Sequence, residues 1–172
     1  MSPPVPLRTT APLEVGIGCR DLAVMRGFYE DVLGLRFVGE AQAPEPVARR
    51  YAMARCAATV VRLQAPFGER IKLIAPERPA PVMAQHPEVV FDAANTMYLT
   101  FIVADIAALL ARLRAGGGRP MSGDTPVQGR AGLQVAFLRD PEGNVLELVQ
   151  YDDVAAYRSD LPDSQPQPGD TP

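Results

Sequence analysis

The sequence predicts an α+β protein made of two βαβββ repeats whose curved mixed sheets surround a shared cavity. Three observations predict it. Residues Glu14 to Leu22 align with Tyr98 to Ile106 at a shift of 84, each an apolar run that ends in an aspartate. Residues Thr59 to Gly68 align with Gln134 to Gly143 at a shift of 75, which lays Pro66 on Pro141 and Gly68 on Gly143. Between the copies lies a proline-rich stretch from Pro76 to Pro87, in a chain of 172 residues, about one domain by length.

Each element has a local reason. Glu14 to Gly18 and Tyr98 to Val103 read as the opening strands of the two copies. Asp21 and Asp105 stand where a side-chain oxygen accepts from the free backbone N–H groups of a first helical turn. Apolar residues then recur at Leu22, Met25, Phe28, Tyr29, Val32 and Leu33, and at Ile106, Leu109, Leu110 and Leu113, the spacing of one buried helical face. Gly34 and Gly116 to Gly118 supply the left-handed exits. The Pro-Gly turns join strand pairs that end in Arg70 to Ile74 and in Val145 to Gln150. The first copy carries nine extra residues around Ala41 to Cys56, where Arg49, Arg50, Tyr51 and Met53 are candidates for a lid. The expected organisation is a flexible start over 1–11, a first module over 12–75, a linker over 76–96, a second module over 97–157 and a disordered tail over 158–172. That tail is Pro, Asp, Ser and Gln without periodicity and cannot bury enough apolar surface to offset its ordering entropy.

Composition removes several classes of function. A formal charge of −3 with 17 scattered basic residues argues against a nucleic-acid partner. No apolar run approaches the roughly 20 residues of a membrane-spanning helix, and the first residues lack a signal peptide's apolar segment, so a cytoplasmic protein without a membrane partner is expected. Cys19 and Cys56 are too few for a disulfide scaffold and read as buried thiols.

The order Glu14-Val-Gly-Ile, Asp21-Leu, Phe28-Tyr29, Leu33-Gly34-Leu35, then Tyr98-Leu-Thr-Phe-Ile-Val-Ala-Asp105, then Asp140-Pro-Glu-Gly-Asn-Val-Leu-Glu147-Leu148 resembles the vicinal oxygen chelate (VOC) superfamily. This group includes glyoxalase I, methylmalonyl-CoA epimerase, extradiol dioxygenases and the fosfomycin- and bleomycin-resistance proteins. The resemblance spans about residues 12 to 151. It implies the glyoxalase fold, a small-molecule substrate or ligand and, in many members, a homodimer.

In metal-dependent members the ligands come from the first and last strands of each copy. The resemblance carries those places onto Glu14, Lys72, Tyr98 and Glu147, and the two repeat shifts agree with the pairing of 14 with 98 and 72 with 147. Strand alternation puts Thr100 on the face of Tyr98, and Arg70 on that of Lys72. The single histidine, His86, falls in the linker, so extradiol cleavage, which needs two imidazoles, is not expected. An ammonium at one of the four places opposes a dication by charge and by lacking a free lone pair. No cofactor is therefore the preferred reading; if a divalent metal binds, Glu14, Tyr98 and Glu147 would hold it.

The leading expectation is an isomerase, epimerase or lyase working by carboxylate acid/base chemistry. Glu14 and Glu147 would act as acid and base, Tyr98 as oxyanion donor, and Lys72 as charge compensator. Arg62, Arg70, Thr100 and Phe137 are the candidate substrate contacts, the guanidinium groups suiting a carboxylate or phosphate. The alternatives are a non-catalytic drug or metabolite binder of the bleomycin-resistance kind, and a metal-dependent glyoxalase or epimerase.

Overall fold

The computed structural model describes residues 7–81 and 86–161. The first six residues and the tail beyond Leu161 lie outside the described residues, and with them most of the segment expected to be disordered. In the first module, β1 (Glu14–Gly18) leads into α1 (Leu22–Gly27), followed by β2 (Arg36–Ala43), α2 (Glu45–Arg50), β3 (Ala58–Gln64) and β4 (Arg70–Pro76). In the second, β5 (Tyr98–Ile102) leads into α3 (Ile106–Ala115), then the short β6 (Arg119–Pro120) and β7 (Val127–Gln128), β8 (Leu133–Arg139), β9 (Val145–Tyr151) and a closing turn of helix, α4 (Val154–Tyr157). The sheets run β1-β4-β3-β2 and β5-β9-β8-β6, with β1 and β5 each parallel to the last long strand of its module. This is the mixed α+β architecture the two shifts predict.

The capping aspartates act as expected. Asp21 accepts from the Val24 N–H at 3.0 Å and Asp105 from the Ala108 N–H at 2.9 Å. Helix α1 widens into a π turn over Phe28–Val32, closed by the Leu33 N–H on the Phe28 carbonyl, and this turn buries Phe28 and Tyr29. The buried helical faces meet the inner faces of both sheets in one apolar cluster, which contains Met25, Tyr29, Leu63 and Leu73 from the first module and Leu110, Leu113, Leu146 and Leu148 from the second. The surplus of the first copy forms α2, whose Ala48 is buried and whose Arg49 pairs with Glu45 at 2.8 Å. Its exposed Tyr51 lines none of the cavities described below.

The turn at Asp140–Asn144 joins β8 to β9 and also clasps the modules together. The fully buried Asp140 carboxylate accepts from the Glu142, Gly143 and Asn144 backbone N–H groups, from Asn144 Nδ2 and, at 3.0 Å, from the Tyr29 hydroxyl of the other module. Five donors replace the water that a buried charge gives up. Glu142 reaches the same way, accepting from the Arg20 and Asp21 N–H groups at the entrance to α1 at 2.7 to 2.9 Å. Gly143 holds φ +103°, a conformation that disfavours side chains, and the His86 ring packs over its Cα. Gly116 brings α3 against Val32, where an added Cβ would stand 2.6 Å from a methyl carbon. No helix of the described residues is long and apolar enough to cross a membrane.

Candidate active site

Alternation places the polar side chains on the sheet faces opposite the core. On β1, Val15 and Ile17 turn inward, leaving Glu14 outward; on β4, Ile71 and Leu73 are buried, leaving Arg70 and Lys72 outward. Register then brings Arg62 of β3 opposite Lys72, and Glu14 opposite Arg70. The Glu14 carboxylate lies 3.2 Å from Lys72 Nζ and 3.5 Å from Arg70 Nη1, while Arg70 Nε donates to Gln64 at 2.9 Å. The hydrogen bond from Lys72, reinforced by the charges of Lys72, Arg70 and Arg62, holds Glu14 below the usual carboxylate range.

On the second sheet, Leu146 and Leu148 are buried and Glu147 turns outward between Thr100 and Phe137. Thr100 Oγ1 donates to one Glu147 oxygen at 2.6 Å. Among the described residues the other oxygen has no hydrogen-bond partner and no cation within salt-bridge distance. Glu147, Thr100 and Tyr98 line one cavity of about 470 Å³, floored by Ile102, Val135 and Val149 and closed at one end by Tyr151, Tyr157 and Arg158. Tyr98 is held edge-on by Phe137, with ring centres 5.4 Å apart, and Phe91 packs on it at 5.9 Å. Phe137 thus supports Tyr98 and is not part of the cavity wall.

The four side chains expected to meet therefore fall into two sets, Glu14 with Lys72 on one sheet and Tyr98 with Glu147 on the other. Among the described residues no hydrogen bond or ion pair joins the sets. A cleft of about 160 Å³ between the modules is lined by Arg70 on one side and Thr100 on the other. The expectation of one pocket around all four is corrected in this respect. The reason is that the helices and inner sheet faces of both modules share one core, so each outer face carries its own polar row. A larger hollow, about 790 Å³, lies elsewhere, between Cys19–Asp21, the linker around Pro79 and the Glu142 turn.

This division bears on metal binding. Lys72 fills one of the four ligand places with a group that has no lone pair, and Glu14 already answers its charge, so these residues do not fit a dication. Among the described residues no three His, Cys, Asp or Glu side chains cluster as a ligand set. Two features escaped the reading of the sequence. Tyr157 and Arg158 reach the cavity only because α4 turns back toward Tyr151 at the end of β9, and the one advance signal was Asp153 in a capping position. The clasp role of Asp140 and Glu142 was hidden inside an ordinary turn pattern.

Paired βαβββ modules with a cavity of about 470 Å³ on one sheet face define the architecture of this chain. The family model for the Glyoxalase/Bleomycin resistance protein/Dioxygenase superfamily matches residues 12–148, and the chain belongs to this superfamily. Its fold is similar to that of a glyoxalase family protein from Bacillus cereus, at TM-score 0.69 and 23% identity over 84% of this chain and 96% of that one. It is also similar to the trypanothione-dependent glyoxalase I of Leishmania major, at TM-score 0.60 and 17% identity over 88% and 94% of the two chains. A third similar structure is a glyoxalase/bleomycin resistance protein/dioxygenase family enzyme from Burkholderia phytofirmans, at TM-score 0.52 and 17% identity over 80% and 96%. No curated protein matches the chain.

Proposed function

We propose that this protein is a metal-independent isomerase, epimerase or lyase in which Glu147 is the single catalytic base. The observation that carries the reading is the Glu147 carboxylate itself: one oxygen is held by Thr100 at 2.6 Å, the other has no partner among the described residues, and the residue lines a cavity large enough for a metabolite. A base must be reachable by the proton it takes, and it works best when its orientation is fixed beforehand. Glu14 does not meet this condition, because Arg70 and Lys72 engage both of its oxygens and their charges weaken it as a proton acceptor. The chemistry therefore reduces from two opposed carboxylates to one.

In this reading Glu147 takes a proton from a carbon next to a carbonyl group. The C–H electron pair moves onto the carbonyl oxygen as an enolate, which the Tyr98 phenol stabilises by donating a hydrogen bond. Glu147 then returns the proton to the same or the neighbouring carbon, giving epimerisation or isomerisation, or a β-leaving group departs from the enolate. Arg70, which lines the inter-module cleft, would meet an anionic group that extends past Thr100.

The test is proton exchange in D₂O, followed by NMR over a panel of 2-oxo acids and 2-hydroxy ketones. Glu147→Gln keeps shape and removes charge, so exchange should fall by two or more orders of magnitude, with the far-UV circular dichroism unchanged. Full exchange in that variant would exclude Glu147 as the base.

A second reading, a non-catalytic binder, is favoured by one observation: the hydroxyl groups around Glu147 are a threonine and three phenols, with no second carboxylate or imidazole in the cavity. Ligand recovered undeuterated by wild-type protein across the whole panel would select it.

A further inference from the structure

The end of the Glu147 cavity is built by a segment that the core does not need. Helix α4 has no buried residue, yet the chain turns back after β9, capped by Asp153 accepting from the Ala156 N–H at 2.9 Å. This return stacks the Tyr157 ring on Tyr151, with centres 4.1 Å apart and planes within 16°. The Tyr157 hydroxyl beside it, then burial, pushes the Tyr151 phenol above its ordinary range and keeps it a neutral donor. Arg158 lines the same cavity, and its Nε and Nη2 both donate to Asp160 at 2.9 Å. Asp160 thus occupies the Nε–Nη2 edge, while Arg158 Nη1 has no hydrogen-bond partner among the described residues and leaves the Nη1–Nη2 edge to an incoming carboxylate.

The cavity is thus graded along β9. Glu147 and Tyr151 are four residues apart on one face, about 13 Å at the usual rise per residue. An apolar floor of Val149, Val135 and Ile102 runs between them, and an aromatic wall and a guanidinium fork stand at the far end. An apolar floor does not suit a sugar phosphate, while stacked rings suit a flat face, and the fork matches a carboxylate in two-point geometry.

We infer that the Tyr157–Arg158 turn is a binding subsite for the carboxylate of a planar aromatic acid, its ring lying against the tyrosine pair and its far end reaching toward Glu147. This rests on the preceding proposal only in taking the Glu147 cavity as the ligand site. It names the substrate class and adds Tyr157 and Arg158 as specificity-determining residues.

Titration calorimetry on the full chain tests it with trans-cinnamate, cinnamamide and 3-cyclohexylpropionate as probes. Cinnamate should bind at least about tenfold tighter than its amide, because the amide forfeits the charge-assisted contact to Arg158. Arg158→Ala should bring cinnamate down to the level of the amide while leaving the amide unchanged. Tyr157→Ala should weaken both about threefold to tenfold. Since α4 buries nothing, Arg158→Ala should keep the wild-type melting temperature, and Tyr157→Ala, which loses the ring stack, should lower it by no more than about 6 °C. Failure of cinnamate to bind wild type, equal binding of 3-cyclohexylpropionate, or cinnamate affinity unchanged in Arg158→Ala would each overturn the subsite. These probes do not react, so the result is independent of turnover: Glu147→Gln should retain cinnamate binding, and its effect on proton exchange judges the base alone.

Discussion

The contact between Tyr29 and Asp140 offers the sharpest test of what joins the two modules. Replacing Tyr29 by Phe removes one oxygen and leaves the ring, which is fully buried and packs edge-on against Phe28 at 5.4 Å. Asp140 Oδ2 then keeps only Asn144 Nδ2, at 2.8 Å, while its other oxygen keeps three backbone donors. A hydrogen bond to a buried charged group is worth about 1.5–3 kcal/mol, and no solvent reaches this one to replace it. At about 2 kcal/mol, the melting temperature of a domain this size should fall by about 4–8 °C. The assay is urea unfolding with thermal melts. The denaturant midpoint should drop with an unchanged slope, since the exposed surface on unfolding is the same. The exposed Tyr51→Phe serves as control and should stay within about 0.5 kcal/mol of wild type. A loss in Tyr29→Phe no larger than in the control would refute the argument that the Asp140 turn is an inter-module clasp.

Two further predictions follow from the charged groups. Cys19 is buried, and burial first, then the carboxylates of Glu142, Asp140 and Asp21, push its thiol up to about 12. A folded pKa above the unfolded value of about 9 contributes stability that is complete below pH 9 and is lost between pH 9 and 12, by about 1.4 kcal/mol per pH unit. Alkaline unfolding curves of Cys19→Ala should therefore be flatter than wild type over that window, and curves of equal slope would contradict it. On the open face of the first sheet, Lys72→Met removes the first cause of the depressed Glu14 pKa, so an NMR titration should show Glu14 moving up toward 4.5. An unmoved Glu14 titration would mean that Arg70 and Arg62 suffice to hold it ionised.

The repeats were legible because each copy must solve the same local problems. A strand needs alternation, a helix needs a cap and a 3.6-residue apolar face, and a tight turn needs glycine, so Asp21 matches Asp105 and Gly68 matches Gly143. The family followed from the same residues, and so did the sharing of one strand face by Tyr98 with Thr100 and by Lys72 with Arg70, since alternation is a property of one strand.

What the chain alone did not reveal was which of those strand faces meet. That depends on how two modules share a core, and a single buried hydroxyl-carboxylate contact, Tyr29 to Asp140, spans 111 residues of sequence. It also left α4 out of the second module's cavity, because a four-residue helix with no buried side chain has no periodicity to read. Sequence by itself determined the repeated strands and capped helices, their faces and the superfamily, all set by neighbours within a turn or a strand. Tertiary structure decided that Glu14 belongs to an ion-pair row, that Glu147 opens into a cavity, and that Tyr157 and Arg158 close it, because those relations depend on distances between residues far apart in the chain.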